Sequence, residues 1–217
     1  MKELLLIGAG KFALEVTRYI DDVAAAGLQE YRVSQYLVAD GEAVHAPAGL
    51  CSRLDGFDPP PGVGVVLALS DAARRRAVID GYIAKHGLPA ENIVHPSARV
   101  EPGALTGPGN VIGPDNYVGV NTTLGAFNVL NYRSSIGHHS RLGSNNFIAP
   151  NFHCGNSVEI GDDNFFGLSC TVAPEVIIGG DCKFQAGISL FENAASGYSY
   201  LVPNRIKSVK SLQGDSQ

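Results

Sequence analysis

The 217-residue sequence contains no tryptophan, one methionine and only four cysteines. Cys51, Cys154, Cys170 and Cys182 show no C-x-x-C spacing, which argues against a zinc knuckle or a dithiol redox pair and favours buried free thiols. Charged residues are sparse at 17%, and the net charge of −5 disfavours a nucleic-acid backbone as partner. No apolar run approaches the length that crosses a bilayer. The opening run Leu4–Ile7 is far too short and has no basic segment before it, so the expectation is a cytoplasmic protein without membrane insertion.

What the chain has in quantity is glycine, 26 residues, and period. From Val94 every sixth position is apolar with two exceptions: Val94, Val100, Thr106, Ile112, Val118, Leu124, Leu130, Ile136, Leu142, Ile148, Cys154, Ile160, Phe166, Val172, Ile178, Phe184 and Leu190. Glycine often follows, and two residues earlier stands a small or amide side chain, as at Asn110, Asn128, Ser134, Asn146 and Asn164. Six is not a multiple of 3.6, so no helix face holds this pattern over a hundred residues. Short strands joined by tight corners do, and three hexads per triangular coil give a parallel β-helix in which residues 18 apart stack at strand spacing, roughly 4.8 Å. Val100, Val118, Ile136, Cys154, Val172 and Leu190 are then one interior ladder. The recurrent Gly and Asn suit corners that need positive φ.

Before the repeat the pattern is α/β. Glu3–Ile7 reads as a strand, Phe12 to about Ala25 as an amphipathic helix ending at Gly27, Tyr31–Val38 as a second strand and Gly64–Leu69 as a third. Asp71 can cap a helix over Ala72–His86, which Gly87 ends. This βαβαβ order predicts a small Rossmann-like domain over residues 1–92, followed by a β-helix domain with a C-terminal tail over residues 93–217.

Gly8-Ala9-Gly10-Lys11-Phe12-Ala13 fits G-x-G-x-x-A between a strand and a helix, where backbone N–H groups can meet phosphate. Asp40, the acid at the end of the second strand, lies thirty residues after Gly10 rather than the ~20 of dinucleotide enzymes. A nucleotide ligand, an NAD-linked redox role and a merely structural turn all remain open from these residues. His138-His139 falls at a corner, where an imidazole is a proton acceptor near neutral pH, although an ordinary surface pair has the same pattern. His138, His139 and His153 are expected on different corners, which argues against a metal site.

Taken together, the opening Leu5–Val16, the segment Ala68–Arg75, the hexads, and Asn131 followed by Ile136-x-His138 resemble the hexapeptide-repeat sugar acetyltransferases. The likeness is to the NeuD/PglD-like branch, which carries an N-terminal Rossmann-like domain. The resemblance implies a left-handed β-helix, a homotrimer, acetyl-CoA as co-substrate in the cleft between neighbouring subunits, no metal, and a nucleotide-linked amino sugar as acceptor for glycan synthesis. It further implies His138 as general base, and Asn131 and His139 beside the sugar. Gly8, Gly10, Phe12 and Asp40 are implied at the nucleotide, and Asn156, Leu168 and Ala186 at the coenzyme. The family's acid after the histidine is His139 here, a second coenzyme histidine is replaced by Phe147, and the closing motif survives in part as Leu201-Val202-Pro203-Asn204-Arg205-Ile206. Transfer to a sugar hydroxyl and a non-catalytic binding role are the alternatives.

Overall fold

The computed structural model of the chain describes residues 1–203, so Asn204, Arg205 and Ile206 of the closing motif lie outside the described residues. The first ninety residues form a parallel sheet of β1 (Lys2–Ile7), β2 (Tyr31–Val38), β3 (Cys51–Arg53) and β4 (Gly64–Leu67), in the order β3-β2-β1-β4. Helix α1 (Lys11–Ala25) follows β1, and α2 (Ala72–Val78) follows β4. The Asp71 carboxylate accepts from the Arg74 N–H at 2.9 Å, the cap expected from sequence. The helix expected over Ala72–His86 is not continuous, however. It widens into a π-helical segment at Ile79–Ala84, with Gly81 inside it. Strand β3, short and carrying no periodic pattern, was invisible in the sequence.

From Ile93 onward two-residue strands recur every six residues and stack into three parallel sheets, the faces of a β-solenoid. The first face runs from Ile93–Val94 through Val129–Leu130 to Ser199–Tyr200, the second from Arg99–Val100 to Ser189–Leu190, and the third from Thr123–Leu124 to Ile177–Ile178. The predicted ladder of Val100, Val118, Ile136, Cys154, Val172 and Leu190 is the interior side of the second face. On the first face Phe166 stacks on Phe184 at 4.6 Å and Phe184 on Tyr200 at 4.8 Å. Only 16 residues separate the last pair, because the final coil is two residues short. Cys154, Cys170 and Cys182 are buried free thiols, and Cys51 is half-buried and free. Burial pushes the Cys154 thiol up to about 11.

The amide positions form a second ladder. Asn92, Asn110, Asn128, Asn146 and Asn164 each accept, through Oδ1, the backbone N–H of the residue 18 further on, at 2.8–3.0 Å. Among the described residues no buried side-chain nitrogen or oxygen lacks a partner.

The corners are built differently from expectation. Positive φ falls three residues after each interior position, at twelve non-glycine residues from Asp115 to Asp181, among them Asn121, Phe127, Arg133 and His139. The glycines that follow the interior residues within these corners are needed for space instead. A Cβ on Gly161 would stand 2.9 Å from the Gly179 carbonyl carbon and 2.9 Å from Gly180 N, both backbone of the next coil.

One face is covered. The outward residues Ile93, Val111, Val129 and Phe147 are buried in a single apolar cluster with Leu4, Val16, Tyr19 and Ile20, so α1 lies against the first face. Phe12 meets Phe147 edge-on at 5.4 Å. Each such side chain contributes about 1.5–3 kcal/mol by burial. Beside this seam Arg75, fully buried, donates to Asn145 Oδ1 at 2.9 Å, to the Leu69 carbonyl at 2.9 Å and to the Phe127 carbonyl. Burial lowers its pKa to about 9, the neighbouring Arg76 adding to this, so it stays protonated at neutral pH. Arg76 grips Asp163 through a fork at 2.7–3.0 Å. Among the described residues no helix is long and apolar enough to cross a membrane.

These two kinds of glycine predict opposite mutational outcomes. Gly161→Ala should destabilise by about 1–3 kcal/mol in chemical denaturation, because backbone on the adjoining coil must move. Gly81→Ala, with nothing within 4 Å of the new methyl, should be neutral or stabilise by up to about 1 kcal/mol.

Candidate active site

His138 and His139 occupy the corner between the second and third faces, after Ser135–Ile136 and before Arg141–Leu142. The two histidines therefore share one corner rather than standing on separate ones. Three-sided coils place this corner opposite the first face, the one that carries the N-terminal unit. The local backbone is fixed by its neighbours: His139 N–H donates to Val120 O and Ser157 N–H to His138 O, both at 2.9 Å. Both rings are exposed. They meet edge-to-face with Nδ1 atoms 2.9 Å apart, and His139 Nε2 lies 3.0 Å from Nδ2 of Asn121 one coil earlier. His138 thus keeps Nε2 directed away from its partner. His153 is held elsewhere, on the second face, against Ser135 Oγ at 2.8 Å. Among the described residues no three His, Cys, Asp or Glu side chains come together as a metal site.

The other expected residues fall into three places. Asn156 is exposed one coil beyond His138 at the same corner. Asn131, buried, with Leu168 and Ala186, both exposed, lies at the corner between the first and second faces. In one chain that corner and the His138 corner are separated by the width of the second face. Gly8 and Gly10 form the turn between β1 and α1, and Phe12 stands in the first turn of α1, on the side of the first face.

That turn does not offer its N–H groups freely. Glu42 Oε1 accepts from Ala9 N–H at 3.0 Å and Gly10 N–H at 2.8 Å, while Oε2 accepts from Ala39 N–H at 3.3 Å. A carboxylate of the chain itself therefore stands where the sequence motif places a phosphate. The backbone of this loop is tied down as well, since His45 and Ala46 N–H both donate to Ala9 O. Gly8, at φ 124° and with Ala68 O against its missing Cβ, is confined to glycine.

Two cavities open next to the turn. One, of about 440 Å³, is lined by Gly10, Lys11, Phe12, Glu42, Ser70 and Arg74. The other, of about 560 Å³, is lined by Asp40, Phe57, Arg74, Tyr82, Lys85 and His86. Arg74 borders both. Asp40, exposed and 3.4 Å from Arg53, belongs to the second cavity. Glu42, Arg74 and Asn121 were missed by the sequence reading. Glu42 lies beyond the turn motif, and only the 18-residue period could have paired Asn121 with His139.

No family model matches the sequence, and no curated protein matches it. Solved structures do. The acetyltransferase domain of PglB from Neisseria gonorrhoeae FA1090 is similar at 21% identity over 92% of this chain and 96% of that one, with a TM-score of 0.74. PerB from Caulobacter crescentus, solved with CoA and GDP-perosamine, is similar at 23% identity over 93% of each chain, with a TM-score of 0.73. WeeI from Acinetobacter baumannii AYE is similar at 16% identity over 88% and 95%, with a TM-score of 0.62. At these identities the likeness establishes a shared fold, the solenoid with its N-terminal unit included.

The Glu42 contacts generate a direct test of the turn. A ligand phosphate arriving there must compete with a carboxylate already holding three N–H groups. Glu42→Ala is expected to tighten binding of a nucleoside diphosphate by about fivefold, the equivalent of a net hydrogen bond near 1 kcal/mol. Calorimetry with wild type and variant reads this. Unchanged or weaker binding would mean that the diphosphate does not reach the turn.

Proposed function

We propose that the chain is an acetyl-CoA-dependent N-acetyltransferase acting on a nucleotide-linked amino sugar. On this reading it is a member of the NeuD/PglD-like branch, with a Rossmann-like unit over residues 1–92 and a left-handed β-helix over residues 93–217. The observation that carries the proposal is His138, exposed at a solenoid corner with Nδ1 engaged and Nε2 turned outward. Its support is a fold shared with PerB, which was solved with CoA and GDP-perosamine.

In the reaction, His138 Nε2 takes a proton from the sugar amine as the amine attacks the thioester carbonyl. The C–N bond forms, the C–S bond breaks, and the proton returns to the departing sulfur. A backbone N–H at a corner stabilises the oxyanion. Proximity supplies much of the acceleration, since a thioester is already activated. The larger cavity with Asp40 would take the nucleoside, and Arg74, between the two cavities, would neutralise the diphosphate.

The position of His138 also bears on assembly. The nucleotide unit sits on the first face and His138 on the corner opposite it, so a sugar held by one chain does not reach that chain's own histidine. A homotrimer with threefold closure, in which one subunit's nucleotide unit faces its neighbour's His138 corner, resolves this. Asn131, Leu168 and Ala186 of one chain and Asn156 of the next would then line a shared coenzyme cleft.

His138→Ala should lower kcat for thiol release from acetyl-CoA, with an amino-sugar nucleotide as acceptor, by roughly 10²–10⁴-fold. His139→Asn, which keeps a residue tolerant of the left-handed backbone, should cost distinctly less. Reversal of the two would move the base to His139, and full activity in His138→Ala would remove the mechanism. Sedimentation of wild type as a monomer at assay concentration would remove the shared cleft.

A further inference from the structure

We propose that Asn121 is a positioning residue that sets the tautomers of the His139–His138 pair, with its amide oxygen turned to His139. This rests on the acetyl-transfer reading above. The three side chains form a line: Asn121 Nδ2, which a half-turn of the amide exchanges with Oδ1, to His139 Nε2 at 3.0 Å, then His139 Nδ1 to His138 Nδ1 at 2.9 Å. A hydrogen bond between two Nδ1 atoms needs one donor and one acceptor, so the pair must adopt opposite tautomers. An asparagine amide has the same shape after a half-turn, and each orientation dictates a different chain of donors.

If the amide nitrogen faces His139, it donates to Nε2. His139 then carries its proton on Nδ1 and donates to His138 Nδ1, and His138 is left protonated on Nε2. That imidazole cannot take a proton from an amine. If the oxygen faces His139, every link reverses. His139 carries its proton on Nε2 and donates to Asn121, its Nδ1 accepts from His138 Nδ1–H, and His138 Nε2 is a bare lone pair. After proton transfer the His138 imidazolium still donates through Nδ1 to the neutral His139, so no bond in the line is lost during turnover. His139 thereby fills, as a neutral acceptor, the orienting role that a carboxylate plays in the resembled family. It can do so only while Asn121 accepts from its far side.

The line depends on stacking. Asn121 and His139 are 18 residues apart, successive occupants of one corner position, and both have left-handed backbones at φ 57° and 59°. Replacement by alanine would add backbone strain to the loss of the amide. Asn121→Gly removes the amide without that strain, and Asn121→Asp supplies a group that can only accept.

The test compares these two variants with wild type by steady-state kinetics and by imidazole 15N NMR. Wild type should show His138 protonated on Nδ1 and His139 on Nε2. Asn121→Gly should lose about 10–100-fold in kcat with KM within about twofold, and its His138 should gain the Nε2–H tautomer. Asn121→Asp should retain at least wild-type kcat and the wild-type tautomers. A wild-type His138 protonated on Nε2 would overturn the proposal, as would an Asn121→Asp variant no better than Asn121→Gly. The NMR readout needs no turnover. Absence of thiol release in wild type would count against the acetyl-transfer reading alone, and the tautomers would still decide the role of Asn121.

Discussion

Backbone hydrogen bonds hold each six-residue segment of the solenoid one strand spacing, roughly 4.8 Å, from its copy eighteen residues later, and everything else in the chain is fitted to that spacing. At the corners, glycine stands where a methyl would strike the adjoining coil, and twelve non-glycine residues accept a left-handed backbone. Each such residue costs of order 1–3 kcal/mol, which the surrounding stack has to offset. Inside, the asparagine ladder satisfies N–H groups of the next coil while apolar and aromatic side chains stack upon one another. Because repeats interact chiefly with their neighbours, strength accumulates along the stack rather than around one central core.

The same regularity makes departures from it informative. Outward positions on the second and third faces are mostly polar or exposed, whereas the first four on the first face, Ile93, Val111, Val129 and Phe147, are apolar and buried. That face is where α1 packs and where Arg75 and Arg76 fasten the N-terminal unit. Attachment on one face leaves the opposite corner in the open, and His138 is there. On the proposed reading, function turns on where a rigid prism exposes its corners, more than on a pocket enclosed by one chain.

Much of this was legible in the sequence because a period of six admits few architectures. The interior ladder from Val100 to Leu190 and the strand and helix starts at Lys2, Lys11 and Tyr31 match the reading to within a residue or so. Three features were hidden for physical reasons. Edge strand Cys51–Arg53 has no alternation to reveal it, and the helix after Asp71 keeps its apolar spacing while its hydrogen bonding changes to a wider turn. The corner glycines answer to inter-coil distance, which no φ preference encodes. In the site, His138 and its exposure followed from the register. Glu42 at the Gly8–Gly10 turn did not, because its carboxylate arrives from a loop thirty-two residues beyond Gly10.

Whether His138 and the cavities of the N-terminal unit act across subunits, as proposed, can be measured by mixing defective chains. One parent would carry His138→Ala and the other Arg74→Glu, which reverses the charge shared by the two cavities. Each parent alone should be nearly inactive in acetyl transfer. If the site joins one subunit's His138 to its neighbour's nucleotide unit, random reassembly of equal amounts should restore about a quarter of wild-type activity, since one junction in four then has both parts intact. Activity no greater than the sum of the two parents would contradict the account, placing the whole reaction within a single chain.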